Sequence, residues 1–178
     1  MLSHPKRAAW QSGTTVLVVL LLLLAGGARA QNTSDMEGFN ETYSDWRITC
    51  PKAQACRMSQ TIVQSATARD ILLVRVFDGA QPTMLVTMPL GVLLSTGWQY
   101  RIDQSTQKVT PYEICDTSGC HTGLPLSRNM LNALKQGNAL RITFLDSVQD
   151  PVRPEVSLMG FTKAWDALIT ASAAREDG

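Results

Sequence analysis

Residues 71–89 of the chain read ILLVRVFDGAQPTMLVTMP and contain two short apolar runs separated by turn-forming residues. The first run, ILLVRVF, closes at Asp78-Gly79, and the second, MLVTM, lies between Pro82 and Pro89. Apolar runs of this length, rich in β-branched residues and bounded by Gly or Pro, are typical of β-strands. The stretch therefore predicts two strands of a sheet.

Other segments on either side follow the same pattern. Apolar and polar residues alternate over residues 98–103, which predicts a half-buried strand. The turn-like residues 104–107 then lead into a run at 108–112, so the two runs are predicted to form a hairpin. The remaining predicted strands are residues 45–49, 57–63, 140–145 and 156–159.

Two segments have helical periodicity instead. Ser127 is a suitable N-cap for the first helix, which stops at Gly137, and the second helix is predicted over about residues 162–172, after Gly160. The apolar residues that share one face are Met130, Leu131 and Leu134 in the first helix and Phe161, Trp165, Leu168 and Ile169 in the second. The predicted fold is mainly β, a single antiparallel β-sandwich-like domain with two short helices, one of them C-terminal.

The first thirty residues have the three parts of a secretory signal peptide. Lys6 and Arg7 form a basic start, residues 16–25 (VLVVLLLLLA) are uniformly apolar, and residues 28–30 form a small-x-small cleavage site. An uncleaved membrane anchor is the alternative, but a spanning helix needs about 20 apolar residues. We therefore predict a cleaved signal peptide over residues 1–30.

Cleavage leaves a chain that we divide into three parts. Residues 31–44 are predicted to be a flexible N-terminal tail, residues 45–172 the folded domain, and residues 173–178 a C-terminal tail. The signal peptide contains three of the 16 basic residues. The mature chain therefore has 13 basic and 15 acidic residues and a formal charge of −2. This charge argues against nucleic acid as a partner.

The four cysteines occur as two local pairs, Cys50 with Cys56 and Cys115 with Cys120. In an oxidising compartment cysteines tend to pair, and four of them allow three connectivities, of which the local one is the simplest. A four-thiolate metal site is the alternative, although zinc ligands are usually spaced C-x(2–4)-C. A redox site would need the C-x-x-C spacing, which the sequence lacks.

Candidate catalytic residues are few. His121 is the only histidine that remains after cleavage, so a hydrolase triad would have to use it as the base. The sequence has no G-x-S-x-G elbow, phosphate-binding glycine loop or H-E-x-x-H motif. We therefore predict no catalytic residues, no cofactor and no metal, and we expect His121 to be an exposed loop residue beside a disulfide.

Several short segments, taken in their order and spacing, resemble the invasion-associated locus B family of exported bacterial proteins. The resemblance covers about residues 45–170. The segments are Trp46 leading to Cys50, residues 56–60 (CRMSQ), residues 88–92 (MPLGV), residues 111–115 (PYEIC) with Gly119-Cys120, and residues 157–161 (SLMGF) followed by Ala164 and Leu168. The resemblance implies the fold and the disulfides of that family, but it implies no catalytic residues.

The resemblance also implies a periplasmic or envelope-associated protein, in a family with some members linked to entry into host cells. We therefore expect a non-enzymatic domain that binds a protein or an envelope component. The expected partners include a membrane surface, with which the domain would associate peripherally. The expected contact surface is an exposed strand edge or the disulfide-tied loop 115–124, near which lie Asp116, His121 and Arg128. An envelope-polymer hydrolase and a cysteine-based metal-binding module are the alternatives.

Overall fold

A computed structural model describes residues 39–176, so the predicted signal peptide and the tail up to residue 38 lie outside the described residues. The fold is mainly β, as predicted, with two antiparallel sheets and two helices. The larger sheet has seven strands in the order β1-β2-β3-β4-β5-β9-β8. These strands are β1 (Asn40–Tyr43), β2 (Trp46–Thr49), β3 (Arg57–Gln64), β4 (Arg69–Phe77), β5 (Thr83–Met88), β8 (Ile114–Asp116) and β9 (Gly119–Pro125).

The smaller sheet has the order β11-β10-β6-β7, and β12 also pairs with β10. Its first two strands along the chain form the predicted hairpin, in which Trp98 pairs with Thr110. The strands are β6 (Trp98–Ile102), β7 (Lys108–Thr110), β10 (Ala139–Leu145), β11 (Pro151–Val152) and β12 (Glu155–Ser157).

The helices are α1 (Arg128–Gln136) and α2 (Phe161–Glu176). The predicted cap of α1 is present, since the Ser127 hydroxyl accepts a hydrogen bond of 3.2 Å from the backbone N–H of Met130. Within the described residues, neither helix is long and apolar enough to cross a membrane.

Both predicted tails differ from the structure. Residues 40–43, which we predicted as part of a flexible N-terminal tail, form strand β1. They are ordered because they pair along their whole length with β2. Helix α2 runs past residue 172 to Glu176, where Arg175 donates hydrogen bonds to the carbonyls of Pro51 (2.8 Å) and Lys52 (3.0 Å). These backbone acceptors belong to the loop that the Cys50–Cys56 disulfide closes. The contact anchors the last turn of α2 on a distant part of the chain.

One hydrophobic core joins the two sheets and α2. Alternate residues of each central strand point into it, as the two-residue period of a strand requires. The buried strand residues include Leu72, Val74 and Val76 on β4, Met84, Val86 and Met88 on β5, and Leu140, Ile142 and Phe144 on β10.

The backbone of Ser157 on β12 connects the smaller sheet to the larger one. Its carbonyl accepts hydrogen bonds from the indole Nε1 of Trp46 (2.9 Å) and from Nε2 of Gln60 (3.0 Å), and its N–H donates to Oε1 of Gln60 at 2.9 Å. Trp46 is fully buried and meets Phe161 edge to face, with ring centroids 5.1 Å apart. This junction holds β2, β3, β12 and the start of α2 together.

Candidate functional site

Residues 115–124, which we predicted as a disulfide-tied loop, belong to a β-hairpin formed by β8 and β9 in the structure. Cys115 on β8 lies opposite Cys120 on β9, and the disulfide joins this cross-strand pair. The chain reverses at the turn Thr117–Ser118, and Gly119 follows with a φ of +140°. A Cβ atom on Gly119 would lie 2.4 Å from the carbonyl oxygen of Met88, so only glycine lets β9 approach β5 this closely. The expectation of a loop was therefore wrong.

His121 is buried on β9, with 8% of its surface exposed, and is not the exposed loop residue that we expected. Its partner across the strand pair is Thr87 on β5, and its Nδ1 lies 2.9 Å from the hydroxyl of that residue. Its Nε2 lies 3.1 Å from Oδ1 of Asp116. The hairpin thus brings two of the predicted site residues, Asp116 and His121, into contact.

Arg75 extends the contact between Thr87, His121 and Asp116 into a larger hydrogen-bonded network. A guanidinium nitrogen of Arg75 donates to the Thr87 hydroxyl at 3.0 Å. The Thr87 hydroxyl in turn lies 2.9 Å from Nδ1 of His121, and Nε2 of the same ring lies 3.1 Å from Oδ1 of Asp116. The result is a continuous chain of donors and acceptors from Arg75 through Thr87 and His121 to Asp116.

The charged groups of this hydrogen-bonded network are Asp116 at one end and Arg75 at the other. Hydrogen bonds from the side chain and backbone of Ser118, followed by one from His121, hold the pKa of Asp116 well below its usual range. At the other end, burial lowers the pKa of Arg75; Arg57 lowers it further, whereas Asp116 raises it. The Nε of Arg75 is buried and has no hydrogen-bond partner among the described residues. The network holds β4, β5 and the hairpin in one arrangement.

The geometry differs from that of a hydrolase triad. In a triad the nucleophile and the carboxylate occupy opposite nitrogens of the imidazole. Here Ser118 and Asp116 lie on the same Nε2 side, and the Ser118 hydroxyl donates to Asp116 at 2.6 Å. The residue on the opposite side, Thr87, is buried and already accepts a hydrogen bond from Arg75. These contacts suit a network that orients the hairpin.

Strand β9 is held on its other face as well. Thr122 is 2% exposed, and its hydroxyl accepts a hydrogen bond of 3.1 Å from the indole of Trp98 and donates one of 3.0 Å to the carbonyl of Pro111. Trp98 belongs to the smaller sheet, so β9 is fixed from both sides. Polar residues are therefore buried here because each of them is hydrogen-bonded.

The third predicted binding residue, Arg128, does not join this site. It is the first residue of α1, is exposed, and makes no hydrogen bond or ion pair with Asp116 or His121 in the described residues. Sequence reasoning missed Arg75 and Thr87. Their signal is positional, because each is a polar residue inside an apolar run that we predicted as a strand.

The sulfur atoms also bear on the metal-binding alternative. Cys50 is bonded to Cys56, and Cys115 is bonded to Cys120, so all four cysteines of the chain are in disulfides. A zinc site of the predicted kind needs thiolates. The four-thiolate alternative does not describe this structure. Disulfides of this kind are typical of proteins in an oxidising compartment.

We expect Asp116→Asn to lower the urea midpoint of unfolding at pH 7. A carboxyl with a lowered pKa in the folded state stabilises the fold above its unfolded pKa, and this contribution is lost as the pH falls through the folded value. The difference between wild type and variant should therefore be full above about pH 5 and shrink below the ordinary aspartate value of about 3.9. The measurement is a series of urea titrations of wild type and variant from pH 7 to below the ordinary aspartate pKa of about 3.9, which gives the unfolding midpoint at each pH.

Asp70→Asn is the matched control for this experiment. It makes the same change in net charge at an exposed residue of β4, and we expect no such loss at pH 7. Equal midpoints for wild type and Asp116→Asn at pH 7, or a difference that grows as the pH falls, would contradict the stabilising role of this carboxylate.

Comparison with known proteins agrees with this fold. A family model described as "Invasion associated locus B (IalB) protein" matches residues 46–169. An invasion protein B homolog of Brucella abortus strain 2308 is 28% identical over 136 residues, which cover 73% of this chain and 79% of the relative. A homolog from Brucella abortus biovar 1 strain 9-941 matches to the same extent.

A solved structure is also similar. The crystal structure of invasion associated protein b from Bartonella henselae superposes with a TM-score of 0.67 at 25% sequence identity, covering 74% of this chain and 96% of that chain. The family match spans the strands from β2 to β12, both disulfides and the first half of α2. The chain therefore belongs to the invasion associated locus B family.

Proposed function

We propose that this protein is exported to the bacterial envelope, where it binds another protein without catalysing a reaction. The contact surface in this proposal is the outer edge of β8, at the end of the larger sheet. All three residues of β8 are exposed, and Ile114 has 64% of its surface accessible. Among the described strands, β8 pairs only with β9, so its other edge has backbone groups available to a strand of a partner.

The rigidity of the hairpin supports this proposal. Binding is weakened by the entropy lost when flexible segments become ordered, and a segment that is already fixed loses less. The hairpin is fixed by the Cys115–Cys120 disulfide, by the His121 network on one face of β9 and by Thr122 on the other. Asp116 and His121 therefore act by positioning β8 and not by reaction with a substrate.

The sequence and the family support the proposed location. The apolar leader over residues 1–30 would direct export, and cleavage would leave Gln31 at the N-terminus. We place the mature chain in the periplasm or at the outer envelope, with peripheral contact to a membrane. Because its relatives are named for invasion, we include contact with host cells among the settings in which the partner is bound.

A site-specific crosslinking experiment tests the contact surface. A photoreactive amino acid at position 114 should give a discrete crosslinked product in intact bacteria. The same amino acid at Val148, an equally apolar residue with 73% exposure outside the hairpin, is the control and should give none. Burial of an isoleucine side chain contributes about 1.5–3 kcal/mol, so Ile114→Asp in an untagged competitor should weaken competition about tenfold or more.

The crosslinking results distinguish a specific contact at β8 from nonspecific surface contact. A product at position 114 that wild-type competitor removes and the Ile114→Asp competitor leaves would support the proposal. Equal products at positions 114 and 148, or none at position 114 while the protein is folded and exported, would overturn it. Mass spectrometry of the same sample reads the N-terminus, and a mature protein that begins at Gln31 would support the predicted cleavage.

A further inference from the structure

The outward face of the smaller sheet carries a groove of about 340 Å³. The groove contains no residue of the network around Asp116 and His121. Its floor comes from β6 and β10, and one wall comes from the turn between β11 and β12. The residues of the groove used below are Gln99, Arg101, Gln107, Arg141, Thr143, Arg153 and Glu155.

The strand register places the charged residues of this groove side by side. Arg101 on β6 lies directly opposite Arg141 on β10, and Gln99 lies opposite Thr143. The intervening residue Ile142 is buried in the core, so the four flanking side chains point outward on the same face. Directly opposed residues of antiparallel strands have Cβ atoms about 5 Å apart, and like charges at that separation destabilise the pair.

Only one of the three arginines is neutralised. Arg141 forms an ion pair of 2.9 Å with Glu155 and donates a second hydrogen bond of 3.1 Å to the carbonyl of Asp103. Arg101 and Arg153 have no ion pair among the described residues. With Glu155 the only carboxylate lining the groove, the lining carries a net charge of +2. The nearby carboxylate of Asp103 is already bonded to the backbone N–H groups of Asn138 and Ala139.

We propose that this groove binds an anionic saccharide. The planar guanidinium groups of Arg101 and Arg153 would each pair with a carboxylate or phosphate of the sugar, because the arginine fork matches the geometry of such oxyanions. Nε2 of Gln107 donates to Oε1 of Gln99, which leaves the amide NH₂ of Gln99, the amide oxygen of Gln107 and the hydroxyl of Thr143 as donors and acceptors for sugar hydroxyls. The volume lies within the range of about 300–1,000 Å³ that is typical of small-molecule sites.

The site extends the proposed function to a second surface. It lies on the smaller sheet, whereas the β8 edge lies on the larger one, so either can fail in experiment without the other. A saccharide fits the small, polar groove better than a nucleic acid does, since nucleic-acid binders have a broad basic surplus and the mature chain is predicted to carry a charge of −2.

Isothermal titration of the mature, disulfide-bonded protein with tetragalacturonate tests the proposal. Each variant removes charge-assisted hydrogen bonds to an oxyanion of the sugar, so Arg101→Gln and Arg153→Gln should each weaken binding about tenfold or more. Glu155→Gln should strengthen binding severalfold, because it removes the competing carboxylate from Arg141. Arg69→Gln, which changes the same charge at an exposed residue of the larger sheet, should leave the affinity unchanged.

The choice of probes distinguishes a saccharide site from simple attraction of anions. Glucose 1-phosphate should also bind, and neutral maltotetraose should bind much more weakly than tetragalacturonate. Equal affinity for inorganic phosphate or for tetraglutamate would overturn the proposal, as would equal losses in Arg69→Gln and Arg101→Gln. Absence of binding by both tetragalacturonate and glucose 1-phosphate would overturn it as well. Arg153 is exposed in a turn, so its variant reports on binding even if Arg101→Gln perturbs the sheet.

Discussion

Trp46→Ala should lower the free energy of unfolding by about 3–5 kcal/mol, the range for removal of a buried aromatic side chain. Trp46 is fully buried, contacts Phe161 edge to face at 5.1 Å, and donates from Nε1 to the carbonyl of Ser157 at 2.9 Å. The substitution therefore opens a cavity between β2 and α2 and also removes one hydrogen bond of the junction on β12. Urea unfolding followed by far-ultraviolet circular dichroism measures the change.

Trp46→Phe separates the two contributions. It keeps an aromatic ring but removes the indole N–H, so its loss should be clearly smaller than that of Trp46→Ala. Val148→Ala is the control for apolar truncation at a surface residue, since Val148 is 73% exposed, and should change stability by less than about 0.5 kcal/mol. A loss for Trp46→Ala as small as the loss for Val148→Ala would contradict the central place of Trp46 in the core.

Gly160→Ala should be the second strongly destabilising change, with a loss of at least about 2 kcal/mol. Gly160 has a φ of +85°, which side chains rarely adopt. A Cβ atom there would also lie 2.1 Å from the carbonyl oxygen of Tyr43. Because that neighbour is backbone, the clash can be relieved only if β1 or the start of α2 moves.

Gly91→Ala is a closely matched control. Gly91 has a similar φ of +92°, but nothing lies within 4 Å of the Cβ position, so only the cost of the backbone conformation applies. That cost is about 1–2 kcal/mol. Thermal or urea unfolding of both variants compares the two, and a loss for Gly160→Ala no greater than that for Gly91→Ala would show that β1 does not pack against Gly160 as described.

The central strands could be predicted from the sequence because each is a short, mostly apolar run bounded by turn-forming residues. Residues 71–77 and 84–88 lie within β4 and β5, and the hairpin after Trp98 is present. The disulfide hairpin could not be predicted in this way. Strand β9 contains His121 and Thr122, two polar residues that are buried because partners from other strands satisfy them. Periodicity cannot reveal such partners.

The ends of the domain depend on contacts between residues far apart in sequence. Helix α2 continues beyond its predicted end, and Arg175 bonds to carbonyls more than 120 residues earlier in the chain. The candidate site shows the same limit. Asp116 and His121 were found because each directly follows a cysteine of the second pair. Arg75 and Thr87 join them only through the pairing of β4, β5 and β9.

The hydrogen bond between Trp46 and Ser157 spans 111 residues, and this has a kinetic consequence. Contacts of such long range form late and slowly, because a large loop must close before they contribute. A nascent polypeptide that ends before Ser157 leaves the indole of Trp46 without its acceptor, so this junction of the core is incomplete until Ser157 has been made. The junction between β2 and β12 should therefore be among the last native contacts to form when the unfolded domain folds.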